Sequence, residues 1–263
     1  MALSTFDDYL ASTKQMVLQK KTASITTVAQ MWSSPFHLAG TPGAGVLAGT
    51  DTAAGVVPTD ATTGCPTINA FGGDGVGKIT RINAYCSVAG QVMLADLLWK
   101  GGAYAYNANV TLTGQPSFAS RVPSGTDFTG CEIWLEQVTA MTGSQSIRIQ
   151  YTDGTDVSRD TGTIATGVAP ILGRMYRLPM PGGKGVKRID VVTSTVSTVG
   201  TFNVLVLRPL AYVRIPFAGY SEQRDMFGTG APLIFADSAL TVYNRPDSTA
   251  LGLPEYDIEI ASN

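Results

Sequence analysis

At 263 residues the chain is long enough to bury a large core, and its formal charge of −2 provides no concentrated basic face of the kind that holds nucleic acid. Charged residues make up only 14% of the chain, against about 25% in ordinary soluble domains. A deficit of that size fits either a surface covered by neighbouring subunits or the hydroxyl-rich exterior of an extracellular β-protein.

The N-terminal 21 residues carry the one clear helix pattern. Ser4 or Thr5 is placed to cap it, Asp7 and Asp8 fall in the first turn beside the positive end of the dipole, and Lys20 and Lys21 close it. Phe6, Leu10, Val17 and Leu18, with Tyr9 and Met16 beside them, form an apolar stripe at helical spacing. The stripe must lie on the chain's own body or on a neighbouring subunit. The two aspartates also stand where a signal peptide needs cations, and no run approaches about 18 apolar residues, so neither export nor membrane insertion is expected. Residues 22–32 hold one candidate strand. Residues 35–67 are rich in Gly, Pro, Thr and Ala, with T-P-G-A-G at 41–45. Structureless stretches this long are uncommon inside compact domains, so an extended arm lying over a surface, its own or a partner's, is expected.

From Lys78 onward the pattern is β. Candidate strands are 79–86, 91–99, 131–139, 146–152, 175–178, 186–193, 201–207, 212–217, 233–235, 240–244 and 256–260, separated by turn residues and without helical periodicity. One figure occurs twice. Ile79, Arg81, Ile82 and Asn83 open a limb that is followed by a second beginning at Gly90; Val186, Arg188, Ile189 and Asp190 open another, followed by a limb beginning at Gly200 and ended by Pro209. A weaker third copy runs from Val138 through Gly143 to Tyr151. Each is expected to be a β-hairpin. The fold class this predicts is all-β, a jelly-roll-like antiparallel sandwich occupying residues 76–263, with residues 1–75 as an N-terminal helix and extended arm.

No catalytic motif emerges. Gly72, Gly77 and Lys78 match P-loop spacing, but Ile79 replaces the Mg²⁺-binding hydroxyl and a strand follows where a helix N-terminus is needed, so a turn is expected. His37 is the only histidine, without a G-x-S-x-G partner sequence. Asp153 and Asp156 lack the regular oxygen alternation of a calcium loop. The cysteines Cys65, Cys86 and Cys131 are odd in number and without C-x-x-C spacing, so free buried thiols are expected. Trp99, Tyr104 and Tyr106 cluster as a saccharide-binding face would require, or pack under a loop. No catalytic residue, cofactor or metal is expected.

Taken together, the capped helix, the arm with T-P-G-A-G and V-P-T-D-A-T-T-G-C-P-T-I-N-A-F (57–71), the two R-I-[N/D] figures and V-L-R-P-L (206–210) resemble structural proteins encoded in the virion gene blocks of tailed bacteriophages. The resemblance implies a virion component assembled in the host cytoplasm, and specifically a head cement or decoration subunit. Its expected partners are the major capsid protein and copies of itself in a trimer, with neither nucleic acid nor membrane. Phe6, Leu10, Val17, Trp32, Phe36, Val46 and Leu47 are the side chains expected at the contacts. A tail or connector component is the nearest alternative, and a lectin-like sandwich the next.

Overall fold

The computed structural model describes residues 5–73, 75–142, 145–166, 172–182, 184–195 and 199–262. The chain opens with α1 (Phe6–Ala11), β1 (Thr13–Lys21) and β2 (Gly40–Thr41), then β3 (Val76–Cys86), β4 (Gly90–Ala105) and β5 (Asn109–Thr111). Next come β6 (Glu132–Thr139), β7 (Gln145–Thr152), β8 (Ser158–Asp160), β9 (Ile164–Thr166) and β10 (Met175–Arg177). It ends with β11 (Arg188–Ser194), β12 (Thr201–Ile215), β13 (Tyr220–Asp225), α2 (Met226–Thr229), β14 (Leu233–Phe235), β15 (Leu240–Pro246) and β16 (Pro254–Ser262). The all-β, antiparallel architecture expected from the sequence is realised, in three sheets. They run β13-β3-β16-β1-β2 with β14 also on β3; β10-β6-β12-β4-β15; and β5-β11-β7-β8 with β9 also on β7.

The repeated figure is not a hairpin. β3 lies in the first sheet and β4 in the second; β11 lies in the third and β12 in the second. The weak third copy does the same, β6 in the second sheet and β7 in the third, although its Gly143 lies outside the described residues. Each figure is therefore an arch that carries the chain from one layer to another. The glycines sit where the arches crowd their neighbours: a Cβ on Gly90 would lie 2.6 Å from the Arg245 carbonyl oxygen, and one on Gly200 2.8 Å from that of Ala140. The second limbs, β4 and β12, pair with each other along almost their whole length. Pro209 does not end its strand. It sits inside β12 beside a register shift between Pro209 and Ala211, the irregularity that lets a residue without an N–H occupy a central strand.

The β4–β12 pair is the spine of the molecule. At one end Val92, Leu94, Val213 and Ile215 meet the first sheet; at the other Leu98, Val204 and Val206 meet the third. On the opposite face Met93, Ala95, Leu97, Leu205 and Leu207 form a third cluster with Phe36, Cys65 and Trp134. Residues of the arm cover that face. Ser33 bridges Arg174, next to β10, and also Asn244 on β15, so this segment joins both edges of the second sheet and closes it around the third cluster.

The N-terminal helix is shorter than its pattern suggested. Thr5 caps α1, with Asp8 returning the bond in a capping box, but Ser12 is already extended. The next nine residues form β1, which pairs with β16 from Thr13 to Lys20. Its apolar residues, Met16, Val17 and Leu18, are consecutive, so neither a helical nor a strand period stands out; long-range pairing with β16 decides. Lys20 and Lys21 are consequently strand residues. Lys20 pairs with Glu255 at 2.8 Å, and the buried Lys21 donates to the Leu38 carbonyl at 3.1 Å. β1 thus belongs to the first sheet, alongside β16. The strand expected within 22–32 is reduced to a single bridge, Thr26 to Ala250.

Candidate assembly surface

α1 buries none of its residues. Polar contacts hold it against the first sheet, among them Tyr9 Oη donating to Glu259 Oε1 at 2.9 Å, and this bond is the leading cause that raises the tyrosine's pKa. Glu259 also accepts from Thr80 Oγ1 at 2.8 Å and faces Arg81 at 3.2 Å. Lys14 crosses the Tyr9 ring at 4.5 Å and donates to its carbonyl at 2.7 Å. The anchor is polar, so the apolar side chains of the segment remain outside. Phe6 and Leu10 are about as exposed (64% and 60%) as Met16 (53%), and Leu18 is 42% exposed. Met16 and Leu18 face outward because β1 alternates, with Val17, Gln19 and Lys21 turned in.

The residues expected at contacts divide by burial. Phe6, Leu10 and Val46 are exposed, and Trp32 is half-buried, edge-on to Trp134 at 6.1 Å. Val17, Phe36 and Leu47 are buried in the chain's own interior, where their apolar surface is already removed from water and offers nothing to a neighbour. Met16 and Leu18 are not among the expected contact residues: the helical reading places Met16 beside the stripe and Leu18 on it next to Val17, whereas the strand turns Met16 and Leu18 outward and Val17 inward. Sequence reasoning also missed Phe217, Tyr220 and Phe227, the last 86% exposed; short polar runs around them hide the signal.

The arm is fixed to its own chain. Asn203 Nδ2 donates to the Leu47 carbonyl at 2.6 Å and to Glu136 Oε2 at 2.8 Å, while Gly49 N–H donates to Asn203 Oδ1 at 2.8 Å. Lys100 Nζ donates to the Val46 carbonyl at 3.0 Å and lies 3.7 Å from Glu136. Val56 and Lys100 exchange two backbone bonds of 2.9 Å. A recess of ≈ 260 Å³ remains between arm and sheet, lined by Phe36, Val46, Val57, Leu97 and Lys100 among others.

A buried ionic group sits midway along the spine, at the seam between the two clusters. Along β4 it falls between Leu94 and Leu98, and along β12 between Val206 and Leu210, residues that belong to the two different clusters. Asp96 and Arg121 are both fully buried and paired, and Arg208 Nη2 lies 3.5 Å from Asp96 Oδ2. Ser238 Oγ donates to the same oxygen at 2.8 Å, and Arg121 Nη2 also donates to the Leu97 carbonyl at 2.8 Å.

The catalytic candidates do not assemble. Gly72 begins a tight turn, its carbonyl accepting from Gly75 N–H at 3.1 Å, and β3 follows. Both ring nitrogens of His37 are enclosed without a hydrogen-bond partner, and burial above all lowers its pKa, with the nearby Lys21 and Lys100 charges adding to the effect. Asp153 accepts from its own loop, at Thr155 and Val157, and from Arg159 Nε at 2.8 Å; these bonds, led by the Thr155 hydroxyl, hold its carboxyl well below the usual range. Trp99, Tyr104 and Tyr106 are buried in the core, which removes them as a saccharide platform. The three cysteines are free and buried, and burial pushes the Cys65 and Cys131 thiols up to about 12. Among the described residues no three His, Cys, Asp or Glu side chains converge to hold a metal ion, and no helix is long and apolar enough to cross a membrane.

No protein-family model matches the chain, and no curated protein matches it. Among solved structures it is similar to structures of infectious bursal disease virus. Against the Gt strain it is 8% identical over 95% of this chain and 81% of the other, with a TM-score of 0.19. Against the VP2 subviral particle it is 8% identical over 96% and 80%, with a TM-score of 0.20. At such scores the likeness carries no weight for fold or role.

Proposed function

We propose that this chain is a non-enzymatic virion protein of a tailed phage, a cement or decoration subunit that stabilises the head through contacts with the major capsid protein and with further copies of itself. The observation that carries the proposal is the outward-facing apolar row Phe6, Leu10, Met16 and Leu18, set on a molecule with 14% charged residues. Full burial of such a side chain contributes about 1.5–3 kcal/mol. These four are roughly half exposed in the free chain, so covering them contributes on the order of 4 kcal/mol. That is no more than the lower end of the roughly 4–15 kcal/mol cost of association. Pairwise self-association is therefore weak, and the contact becomes secure only where many copies bind one lattice and each attachment raises the local concentration for the next.

The test is incorporation. A Phe6→Asp/Met16→Lys double variant that folds normally is expected to be depleted from assembled particles, with wild-type copy number matching the shell lattice rather than one ring. Equal incorporation of the variant sinks the role of this surface, and absence of the wild-type chain from purified virions sinks the virion assignment. A ring-like copy number instead supports the tail or connector reading.

A further inference from the structure

The face of the third sheet turned away from the core carries a groove of ≈ 730 Å³, lined in part by Thr113, Gln115, Thr152, Arg188, Asp190 and Val191. A smaller recess of ≈ 200 Å³ shares Gln115, Thr152 and Arg188 with it and adds Phe118 and Lys187. A β-bulge shapes the wall. β11 pairs Ile189 with Tyr151 and Val191 with Gln150, so Asp190 is the additional residue. Ile189 and Val192 are both buried in the core, which leaves the consecutive residues Asp190 and Val191 on the groove side. In a regular strand one of those two would point inward. The bulge thus sets a carboxylate and an isopropyl group next to each other on one surface.

Electrostatics select the ligand class. Arg188 Nε donates to Asp190 Oδ1 at 2.7 Å and Arg188 Nη2 to Thr152 Oγ1 at 3.1 Å, while Thr152 Oγ1 donates to Asp190 Oδ2 at 2.7 Å. Lys187 Nζ is closed on Asp156 at 2.6 Å. Each of these cations already has its anion, so a phosphate or carboxylate ligand must break an existing pair before it gains one. The triangle nevertheless stays open to solvent, with the Arg188 side chain 58% and that of Asp190 22% exposed. Guanidinium donors beside carboxylate acceptors match adjacent hydroxyl groups, each of which donates and accepts at once. Val191, half-buried beside Asp190, supplies apolar surface in the lining, suited to the C–H face of a sugar ring. We propose that this groove binds a neutral saccharide. The site is remote from the Phe6–Leu18 surface in sequence and sheet, and the proposal does not depend on the assembly role.

The test is saturation-transfer NMR on the full chain with methyl glycosides of glucose, galactose, mannose and N-acetylglucosamine, and with sialic acid and inorganic phosphate as the anionic arm. Saturable binding of at least one neutral glycoside is expected, weakened about tenfold by Asp190→Asn through loss of a charged acceptor. Thr113→Arg, on the exposed rim and outside the hydrogen-bonded triangle, is expected to abolish it by obstruction while leaving the melting temperature unchanged. Absence of binding by every neutral probe, binding by the anionic probes alone, or neutral binding that survives Thr113→Arg overturns the proposal.

Discussion

Asp96 offers the sharpest test of how this fold is held together. Replacing it with Asn keeps its shape and removes the one carboxylate between Arg121 and Arg208, whose side chains are 0% and 7% exposed. Two guanidinium groups then remain in the interior with only carbonyl and hydroxyl acceptors. Breaking a buried pair by removing one partner costs about 3–5 kcal/mol, a third or more of the roughly 5–15 kcal/mol that holds a typical domain folded. For a chain of this size, at about 2–4 °C per kcal/mol, the expected fall in Tm is on the order of 6–20 °C. Denaturant unfolding followed by the fluorescence of the buried Trp99 and Trp134 measures it. The companion variant Asp96→Leu/Arg121→Met/Arg208→Met removes all the charges together, and is expected to recover most of the loss because an apolar set of similar volume no longer requires desolvated ions. A cost below about 1 kcal/mol for Asp96→Asn, or a triple variant no better than the single one, refutes the view that the seam is an uncompensated-charge hazard held in check by this carboxylate.

Further expectations concern the turns, the arm and the thiols. Gly185 and Gly162 have nearly the same backbone angle, φ +69° and +70°, but a Cβ on Gly185 would lie 1.7 Å from the Phe128 carbonyl oxygen whereas one on Gly162 meets nothing within 4 Å. Gly162→Ala should cost only the left-handed penalty of about 1–2 kcal/mol and Gly185→Ala clearly more; equal melting temperatures for the two would contradict the close approach. Asn203→Leu removes three of the bonds that fix residues 47–49 and Glu136, so limited proteolysis should begin within the arm, and an unchanged digestion pattern would show the arm is held otherwise. His37 has a folded-state pKa below its unfolded value of about 6.5, because burial disfavours its charged form. Its contribution is therefore complete above that value and is lost as pH falls through it toward the folded pKa. Stability should decline on acidification below about pH 6.5, and less steeply in His37→Leu; parallel pH profiles would remove His37 as a cause. A thiol reagent at neutral pH should label the cysteines only after denaturation, since all three are buried, and prompt labelling of the native chain would contradict that burial.

What the linear chain settles about this protein is local. Alternation of apolar residues and the punctuation of Gly and Pro located most of the strands from β3 onward, because both signals act over a few residues. Thr5 and Asp8 likewise announced the start of α1, and the motif failures at Ile79 and around His37 were visible without coordinates. Partner choice was not. Whether the limbs around Gly90 and Gly200 fold back on each other or part into separate layers depends on residues more than a hundred positions away, since β4 and β12 satisfy their backbone groups with one another. The same long-range pairing turned Thr13–Lys21 from a helix into a strand and so moved Met16 and Leu18 to the surface. Burial decided the rest: one patterned stripe contains Phe6 and Val17 alike, and only the packed sheet distinguishes the side chain that faces water from the one that does not.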